Sequence, residues 1–271
     1  MKYIITITLI LLLNSANAQQ HQLQKLWETD TTIAIPESVL YTNNGMFVSL
    51  IDGAPWEADG KGGVARIAVD GKNYNGKWIT GLHAPKGMGI AGNNLYVADM
   101  SEVVVIDISK GAVQKRIAIP GANGLNDITI SDKGSVYVSD SRAGRIWKID
   151  NDNLQLYMDT VRGVNGLKAV GDNLLVGAGK SFISVNPQKQ ITKIAEAPQG
   201  LDGIEPIGNG DYLTTSWSGY VYYISADGRV ETLLDATKDK KNTADIGYDP
   251  VKKIVYVPTF NGKTIAAYQL K

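Results

Sequence analysis

The sequence predicts an all-β fold, a six-bladed β-propeller whose blades are four-stranded antiparallel sheets. The first observation behind this prediction is a short motif that recurs six times: a first residue that is usually polar, then a small or polar residue, then an apolar one. The copies begin at positions 37, 86, 126, 165, 202 and 244, so that successive copies are 37 to 49 residues apart. This period fits propeller blades better than αβ or solenoid repeats. We therefore expect one blade for each copy.

The second observation is the composition of the segments that follow each copy. A turn rich in Gly, Asn or Asp leads into a β-branched or aromatic run, as in residues 95–99, 136–140 and 254–257. Runs of this kind, bounded by turn-forming residues, are typical of short antiparallel strands. The last copy leaves room for only three strands. We expect residues 22–30 to supply its outer strand, because pairing the two ends of the chain closes the ring and removes exposed edges.

The first residues of the chain predict export. Lys2 precedes an apolar run over residues 4–13, and Ala16-Asn17-Ala18 follows it. A basic start, a short apolar run and an A-x-A ending are typical of a secretory signal peptide, although a buried or anchoring helix remains an alternative. We expect residues 1–18 to be removed and residues 19–271 to form one propeller domain in the periplasm or outside the cell.

Composition excludes several classes of function. Lys plus Arg and Asp plus Glu number 27 each, and the chain has no basic run, which argues against nucleic acid or an anionic membrane surface as the partner. There is no further apolar segment long enough to span a bilayer. With no cysteine and only His21 and His83, thiol catalysis is excluded and a histidine-rich zinc site is not expected. A small molecule is the expected partner.

The first residues of the six motif copies should meet at one end of the central channel, because every blade begins in the same way. In chain order they are Glu37, Lys86, Asn126, Asn165, Asp202 and Ala244. Two carboxylates and two amide groups on one axis form an oxygen site that suits Ca²⁺, with Mg²⁺, Mn²⁺ and Zn²⁺ as alternatives. The lysine could offset the carboxylate charge, contact an acidic substrate, or point into solvent.

Three of these positions carry a resemblance to a known family. Glu37 after a proline, Asn165 in Val-Asn-Gly-Leu and Asp202 in Leu-Asp-Gly-Ile resemble the senescence marker protein/gluconolactonase family, also described as regucalcin-like. The resemblance implies a six-bladed propeller in which Glu37, Asn165 and Asp202 bind a divalent metal. It also implies that Asn126 lies next to metal and substrate or is itself a ligand, and that Asp202 acts as general base. The implied reaction is metal-assisted opening of a lactone or a related ester.

Two features favour another function. The resembled lactonases carry an arginine where this chain has Gly124, and residues 95–99 are similar to the NHL repeat. The alternative is therefore a non-catalytic propeller that binds a sugar, a metabolite or a protein through its top loops. A scaffold without a ligand is the third hypothesis, since one fold serves many functions.

The loops on the same face as the motif residues supply the candidate substrate contacts. An irregular segment over residues 52–63 contains Trp56, and the loops between second and third strands contain further charged and aromatic residues. With Asn126 and Lys86 from the ring, the predicted substrate-binding residues are Trp56, Asp140, Arg142, Trp217 and Phe260. This mixture suits sugars or other polar small molecules. For Asp140 the alternative is a hydrogen bond to its own turn.

Overall fold

The computed structural model describes residues 21–271 and contains six four-stranded antiparallel sheets. The sheets are the blades of a propeller, and blades 1 to 5 each take four consecutive strands from the chain. Their bounds are β2 (Pro36–Thr42), β3 (Gly45–Leu50), β4 (Gly62–Ile67) and β5 (Asn75–Leu82) in blade 1; β6 (Pro85–Ala91), β7 (Asn94–Asp99), β8 (Glu102–Asp107) and β9 (Ala112–Ala118) in blade 2; β10 (Leu125–Ile130), β11 (Val136–Asp140), β12 (Arg145–Asp150) and β13 (Asn153–Met158) in blade 3; β14 (Val164–Val170), β15 (Asn173–Ala178), β16 (Ser181–Val185) and β17 (Ile191–Glu196) in blade 4; and β18 (Ile204–Gly208), β19 (Asp211–Ser216), β20 (Tyr220–Ile224) and β21 (Val230–Asp235) in blade 5.

Blade 6 closes the ring as the sequence predicts. It contains β22 (Gly247–Asp249), β23 (Ile254–Pro258) and β24 (Ile265–Leu270), and β1 (Leu23–Glu28) pairs with β24 as the outer strand. The backbones of Gln22 and Lys271 exchange two hydrogen bonds of 3.0 Å. The predicted fold class is thus confirmed. The predicted signal peptide lies outside the described residues, and within residues 21–271 no helix could cross a membrane.

The hydrophobic core lies between neighbouring blades. One cluster joins Phe47 and Val64 of blade 1 to Met88 and Val97 of blade 2, and the other interfaces repeat this pattern. Because both faces of a blade are covered, the middle strands are apolar on both sides, and residues 103–106 of β8 are fully buried. Each large apolar side chain buried in this way contributes about 1.5–3 kcal/mol. The blades need no disulfide, since the chain has no cysteine.

A β-bulge interrupts the innermost strand of blades 1 to 4 at the same place. The pairing register shifts between Pro36 and Val39 in β2, and at the corresponding positions of β6, β10 and β14. The two bulged residues are the first two residues of the motif in each blade. Bulges bend a strand and redirect a side chain. The bulge therefore redirects the side chain of the first motif residue, which lies at the end of the channel.

Hydroxyl groups of the second strand stabilise this distortion in blades 1 and 3, and blade 5 has the equivalent hydrogen bond. The backbone N–H of Ser38 donates to Ser49 Oγ at 2.9 Å, and that of Asp127 donates to Ser139 Oγ at the same distance. In blade 5 the N–H of Gly203 donates to Thr215 Oγ1 at 2.8 Å. A bulge removes these donors from the strand ladder, and a buried donor without a partner would cost about 1–3 kcal/mol.

Small residues at the second motif position let neighbouring inner strands approach each other. A Cβ atom at Gly166 would lie 1.7 Å from the carbonyl oxygen of Asp202, and one at Gly87 would lie 2.3 Å from Asp127 Oδ1. No side chain fits in either place. The glycines of the motif are therefore needed for the narrow channel, and the narrow channel brings the first motif residues together.

Candidate metal and substrate site

Five of the six first motif residues line one cavity at the end of the channel. The cavity has a volume of about 400 Å³. Its lining residues are Glu37, Pro55, Trp56, Lys86, Asn126, Asn165, Asp202, Trp217 and Phe260. We refer to Glu37, Lys86, Asn126, Asn165 and Asp202 as the axial ring. The sixth motif residue, Ala244, is buried against Phe260 and Ile51 and does not line the cavity.

Two buried oxygen atoms of the axial ring have no hydrogen-bond partner. They are Glu37 Oε2 and Asn165 Oδ1. The whole of Glu37 is only 4% exposed, so water outside the cavity does not solvate it. A buried acceptor left without a donor costs about 1–3 kcal/mol, and buried polar groups normally have partners. These two atoms are therefore placed to accept an interaction from something that enters the cavity.

The carboxyl groups of the ring hold their protons strongly. Burial raises the pKa of Asp202 to about 8, and the nearby Asp245 carboxylate adds to this; the Lys86 ammonium and a hydrogen bond from Asn165 act in the opposite direction. Burial likewise raises the pKa of Glu37 well above its usual value, against the attraction of Lys86. A positive charge in the cavity would reverse these shifts.

Lys86 faces the cavity and not the solvent. Its side chain is buried, and Nζ donates to the carbonyl oxygens of Pro55 at 2.9 Å and Ala84 at 3.3 Å. Nζ also lies 4.3 Å from the centre of the Trp56 ring, a cation–π contact. Burial lowers its pKa, while Glu37, Asp99 and Asp202 act to raise it. Lys86 thus links the axial ring to the irregular segment that carries Trp56.

The backbone that leads into Glu37 is strained. Ile35 has φ of 48°, in the left-handed region that β-branched residues avoid. Its carbonyl oxygen accepts a hydrogen bond from Ile51 N at 3.1 Å, and its side chain packs beside Phe260. Such conformations cost about 1–3 kcal/mol and concentrate at functional sites. The strain is held by packing two residues before a ring carboxylate.

Arg142 reaches the site through Trp56 and does not line the cavity. Its Cζ lies 4.6 Å from the centre of the Trp56 ring. Both side chains use the space beside Gly124, where a Cβ atom would lie 2.8 Å from Arg142 Cγ and 3.0 Å from Trp56 Cζ3. The absence of a side chain at position 124 therefore makes room for the tryptophan.

The remaining predicted substrate residues separate into two groups. Trp217 and Phe260 line the cavity and contact each other edge to face, with ring centres 5.5 Å apart. Asp140 does not line it. Its carboxylate is fully buried and accepts hydrogen bonds from the backbone N–H groups of Asn123 at 3.0 Å and Ala143 at 3.1 Å. These contacts are those of a residue that ties its own turn to the β9–β10 loop.

A second set of polar residues lies one step further along the channel, and the sequence reasoning missed it. We refer to Ser38, Asp127, Lys168, Glu205 and Asp245 as the lower layer. They line a smaller cavity of about 160 Å³. The sequence feature that could have indicated part of this layer is the second motif position, which is aspartate in two copies and Gly or Ser in the others. Together the two layers hold five carboxyl groups and two lysines.

The axial ring fits a hard divalent cation. Glu37 and Asp202 offer carboxylate oxygens, and Asn126 and Asn165 offer amide oxygens, a set that suits Ca²⁺ and related ions. The unpartnered Glu37 Oε2 and Asn165 Oδ1 agree with this donor set. Within residues 21–271 no three His, Cys, Asp or Glu side chains are grouped to hold a metal, so a cation here would depend on the amides as well.

Fold and site together define a six-bladed β-propeller with a polar cavity at one end of its channel. No family model matches the chain, and no curated protein sequence matches it. Solved structures match it over nearly its full length. They include a protein named as a candidate gluconolactonase, with 14% identity and a TM-score of 0.70, covering 93% of each chain.

Two lyases show the same likeness. A streptogramin B lyase has 11% identity and a TM-score of 0.66, covering 93% of this chain and 98% of the lyase. Virginiamycin B lyase from Staphylococcus aureus has 14% identity and a TM-score of 0.65, covering 92% of this chain and 99% of its own. At these identities the likeness shows a shared fold.

Proposed function

We propose that this protein is an exported, metal-dependent hydrolase that opens a lactone or a related ester at the axial ring. The observation that carries the proposal is the pair of buried, unpartnered oxygens, Glu37 Oε2 and Asn165 Oδ1, in one cavity with Asp202. Oxygen atoms kept without partners in a cavity of this size are suited to a ligand that supplies positive charge.

Each residue of the ring has a role in this proposal. Glu37, Asn126, Asn165 and Asp202 would hold Ca²⁺, or Mg²⁺, Mn²⁺ or Zn²⁺ in its place. A divalent cation bound there would polarise a substrate carbonyl and make a bound water more acidic. Asp202 would serve as general base, because a bound cation would hold its carboxylate ionised in the cavity that the attacking water enters. Lys86 offsets part of the negative charge that two buried carboxylates place in the cavity.

Two further points support a hydrolase. The motif residues resemble the senescence marker protein/gluconolactonase family at the positions of its metal ligands, and the chain shares its fold with a protein named as a candidate gluconolactonase. The Ala-Asn-Ala segment before Gln19 supports export to the periplasm or the medium.

A binding protein is the second candidate function. Lys86 is buried among the ring carboxylates, where its ammonium group supplies part of the positive charge that a cation would supply. A propeller of this kind would bind a sugar, a metabolite or a protein through its top loops without turnover. The two candidates differ in their response to cations and in turnover.

Cation binding is tested first, by thermal unfolding of the chelator-treated protein with and without Ca²⁺, Mg²⁺, Mn²⁺ and Zn²⁺. A ligand of the native state raises stability by RT ln(1 + [L]/Kd), about 2.7 kcal/mol at a concentration of 100 Kd. At least one ion should raise the melting temperature of the native chain and leave that of Glu37→Gln unchanged. Equal melting temperatures with every ion would rule out the cation site.

Turnover is tested on a panel of lactones and esters with and without chelator. Asp202→Asn should lower kcat about 10²–10⁴-fold, the usual contribution of a general base, while the protein remains folded. Asp172→Asn is the matched control, because Asp172 lies in an exposed surface ion pair with Lys133. Cation binding without turnover on any ester would favour the binding protein.

A further inference from the structure

The rest of the cavity lining is apolar, in contrast to the axial ring. Apart from the ring, the lining residues are Pro55, Trp56, Trp217 and Phe260. They come from three separate segments: the irregular segment of blade 1, the β19–β20 hairpin of blade 5, and the turn before β24 in blade 6. Apart from the two indole N–H groups, the polar side-chain groups of the lining belong to the ring. A ligand that reaches the ring therefore has apolar surface around the rest of its body.

Trp217 lines this cavity and is partly exposed. The residue is 47% exposed, and its ring contacts Phe260 edge to face. Large aromatic rings are among the side chains that gain most from burial, and they are enriched where proteins bind ligands. The exposed part of the indole is thus available to a ligand.

Phe260 is fixed in the wall by a strained turn. It has φ of 44° at the start of a 3₁₀ turn over Phe260–Gly262, although it is not a glycine. The turn is fastened by Thr259 and Thr264, whose side chains and backbones exchange hydrogen bonds of 2.8 to 3.0 Å. A strained conformation held in this way sets the position of the ring before any ligand arrives.

Trp56 is fixed on its own side of the cavity. Lys86 and Arg142 both contact its ring, and the carbonyl next to it, that of Pro55, accepts a hydrogen bond from Lys86. It packs tightly beside Gly124, where a Cβ atom would lie 3.0 Å from Trp56 Cζ3 and would press on both Trp56 and Arg142. Trp56 and Phe260, held in place before binding, give the apolar wall a rigid part, which lowers the entropy cost of binding.

Such a wall disfavours a polyhydroxylated sugar. A hydroxyl group buried against the apolar faces of these rings would lose its water without gaining a partner, at about 1–3 kcal/mol each. Aromatic or aliphatic groups lose nothing of this kind. The cavity volume of about 400 Å³ lies in the range of small-molecule sites.

We infer that the substrate of this site is a lactone or ester with an aromatic or bulky aliphatic group next to its ester linkage, held between Trp56 and the Trp217–Phe260 pair. This inference rests on the proposed function for the nature of the reacting group. The substrate class differs from the polar sugars that the sequence suggests, because position 124 admits an indole ring where the resembled lactonases have an arginine.

Binding of three related lactones tests the inference. Dihydrocoumarin carries a fused benzene ring, δ-valerolactone has the same lactone ring without it, and glucono-δ-lactone replaces it with hydroxyl groups. Calorimetric titration of the Asp202→Asn protein measures binding with hydrolysis suppressed. Dihydrocoumarin should bind at least about tenfold more tightly than the other two. Trp217→Ala should remove most of that preference, since the residue is exposed and the variant should fold.

Two further variants serve as controls for the role of the aromatic wall. Leu156→Ala removes another exposed large apolar side chain, on the outer strand β13, and should leave the preference unchanged. Gly124→Ala should weaken dihydrocoumarin binding by displacing Trp56. Equal or tighter binding of glucono-δ-lactone, no binding of any lactone, or a preference unaffected by Trp217→Ala would overturn the inference. If the apolar preference holds but the native protein hydrolyses none of the panel, the proposed function fails and the inference on the ligand class stands.

Discussion

The axial ring and the lower layer come from the same inner segments of the blades and lie one to three residues apart along them, but the hydrogen bonding of their buried oxygens differs. In the lower layer Asp127 accepts hydrogen bonds of 2.6 Å from the N–H groups of Ile128 and Leu167, and Asp245 accepts one of 2.6 Å from Ser38 Oγ. In the ring, Glu37 Oε2 and Asn165 Oδ1 accept none. The lower layer is complete within the protein, and the ring is not.

The difference separates two uses of buried charge. Asp127 belongs to blade 3 and Leu167 to blade 4, so its carboxylate joins neighbouring blades. Asp245 does the same between blades 6 and 1. A buried carboxylate with its hydrogen bonds made is a structural connection, whereas one with a free oxygen facing a cavity is a site for a ligand. Three predictions test this difference between the ring and the lower layer.

The largest expected effect is on stability in the lower layer. Asp127→Ala leaves the N–H groups of Ile128 and Leu167 buried without an acceptor, at about 1–3 kcal/mol each. We expect the free energy of unfolding in urea to fall by about 3 kcal/mol. Asn126→Ala, one residue earlier in the ring, should change it by less than about 1 kcal/mol. Equal losses for the two variants would show that the two layers do not differ in this way.

The pH dependence of cation binding comes next. The pKa of Asp202 is raised to about 8 and that of Asp245 to about 6, both chiefly by burial. A raised carboxyl pKa favours the folded state fully below about pH 4, and this contribution is lost as the pH rises through the two values. Without cation, the melting temperature should therefore fall between pH 5 and pH 8.5.

A cation must displace the proton of Asp202, so its affinity should rise with pH, by up to about tenfold per unit and about 50-fold from pH 6 to pH 8. Thermal unfolding of the chelator-treated protein with and without Ca²⁺ across this range measures both trends. Asp202→Asn should flatten the dependence. A Ca²⁺ effect of constant size from pH 6 to pH 8 would contradict the assignment of Asp202 to the ring of ligands.

Much of the fold could be predicted from the sequence, because its signals are local and repeated. The spacing of the motif gives six blades, and the shortage of strands after Ala244 gives ring closure by β1. Glu37, Asn126, Asn165 and Asp202 then meet in one cavity, because each is the first motif residue of its blade. All three features follow from counting and aligning the repeats.

Features that depend on contacts between repeats could not be predicted. Asp127 bonds to Leu167, 40 residues later, and nothing in its own blade indicates this. Trp56 owes its place in the cavity wall to Lys86, Arg142 and the missing side chain of Gly124, which lie in two other blades. The two predicted charged loop residues also differ for this reason, since Arg142 contacts that tryptophan of blade 1 while Asp140 bonds to backbone groups within blade 3.

The smallest expected effect is a difference in Ca²⁺ affinity between variants of the two channel lysines. Lys86 lies among the ring carboxylates with its ammonium group bonded only to carbonyl oxygens, whereas Lys168 is paired with Glu205 in the lower layer at 2.8 Å. The charge of Lys86 repels a cation in the ring, while that of Lys168 is balanced locally. Lys86→Gln should therefore tighten Ca²⁺ binding by about tenfold, or about 1.4 kcal/mol, and Lys168→Gln by less than about twofold.

Calorimetric titration of Ca²⁺ into each chelator-treated variant measures these affinities, with the urea midpoint as a check that both remain folded. Weaker Ca²⁺ binding by Lys86→Gln would mean that its bond to Pro55 shapes the ring more than its charge opposes the ion. Equal changes in Ca²⁺ affinity for the two variants would mean that both lysines repel the cation to the same extent, and the two layers would then differ only in their hydrogen bonds. A larger change for Lys86→Gln requires that the charge of Lys168 be balanced within the lower layer, by Glu205.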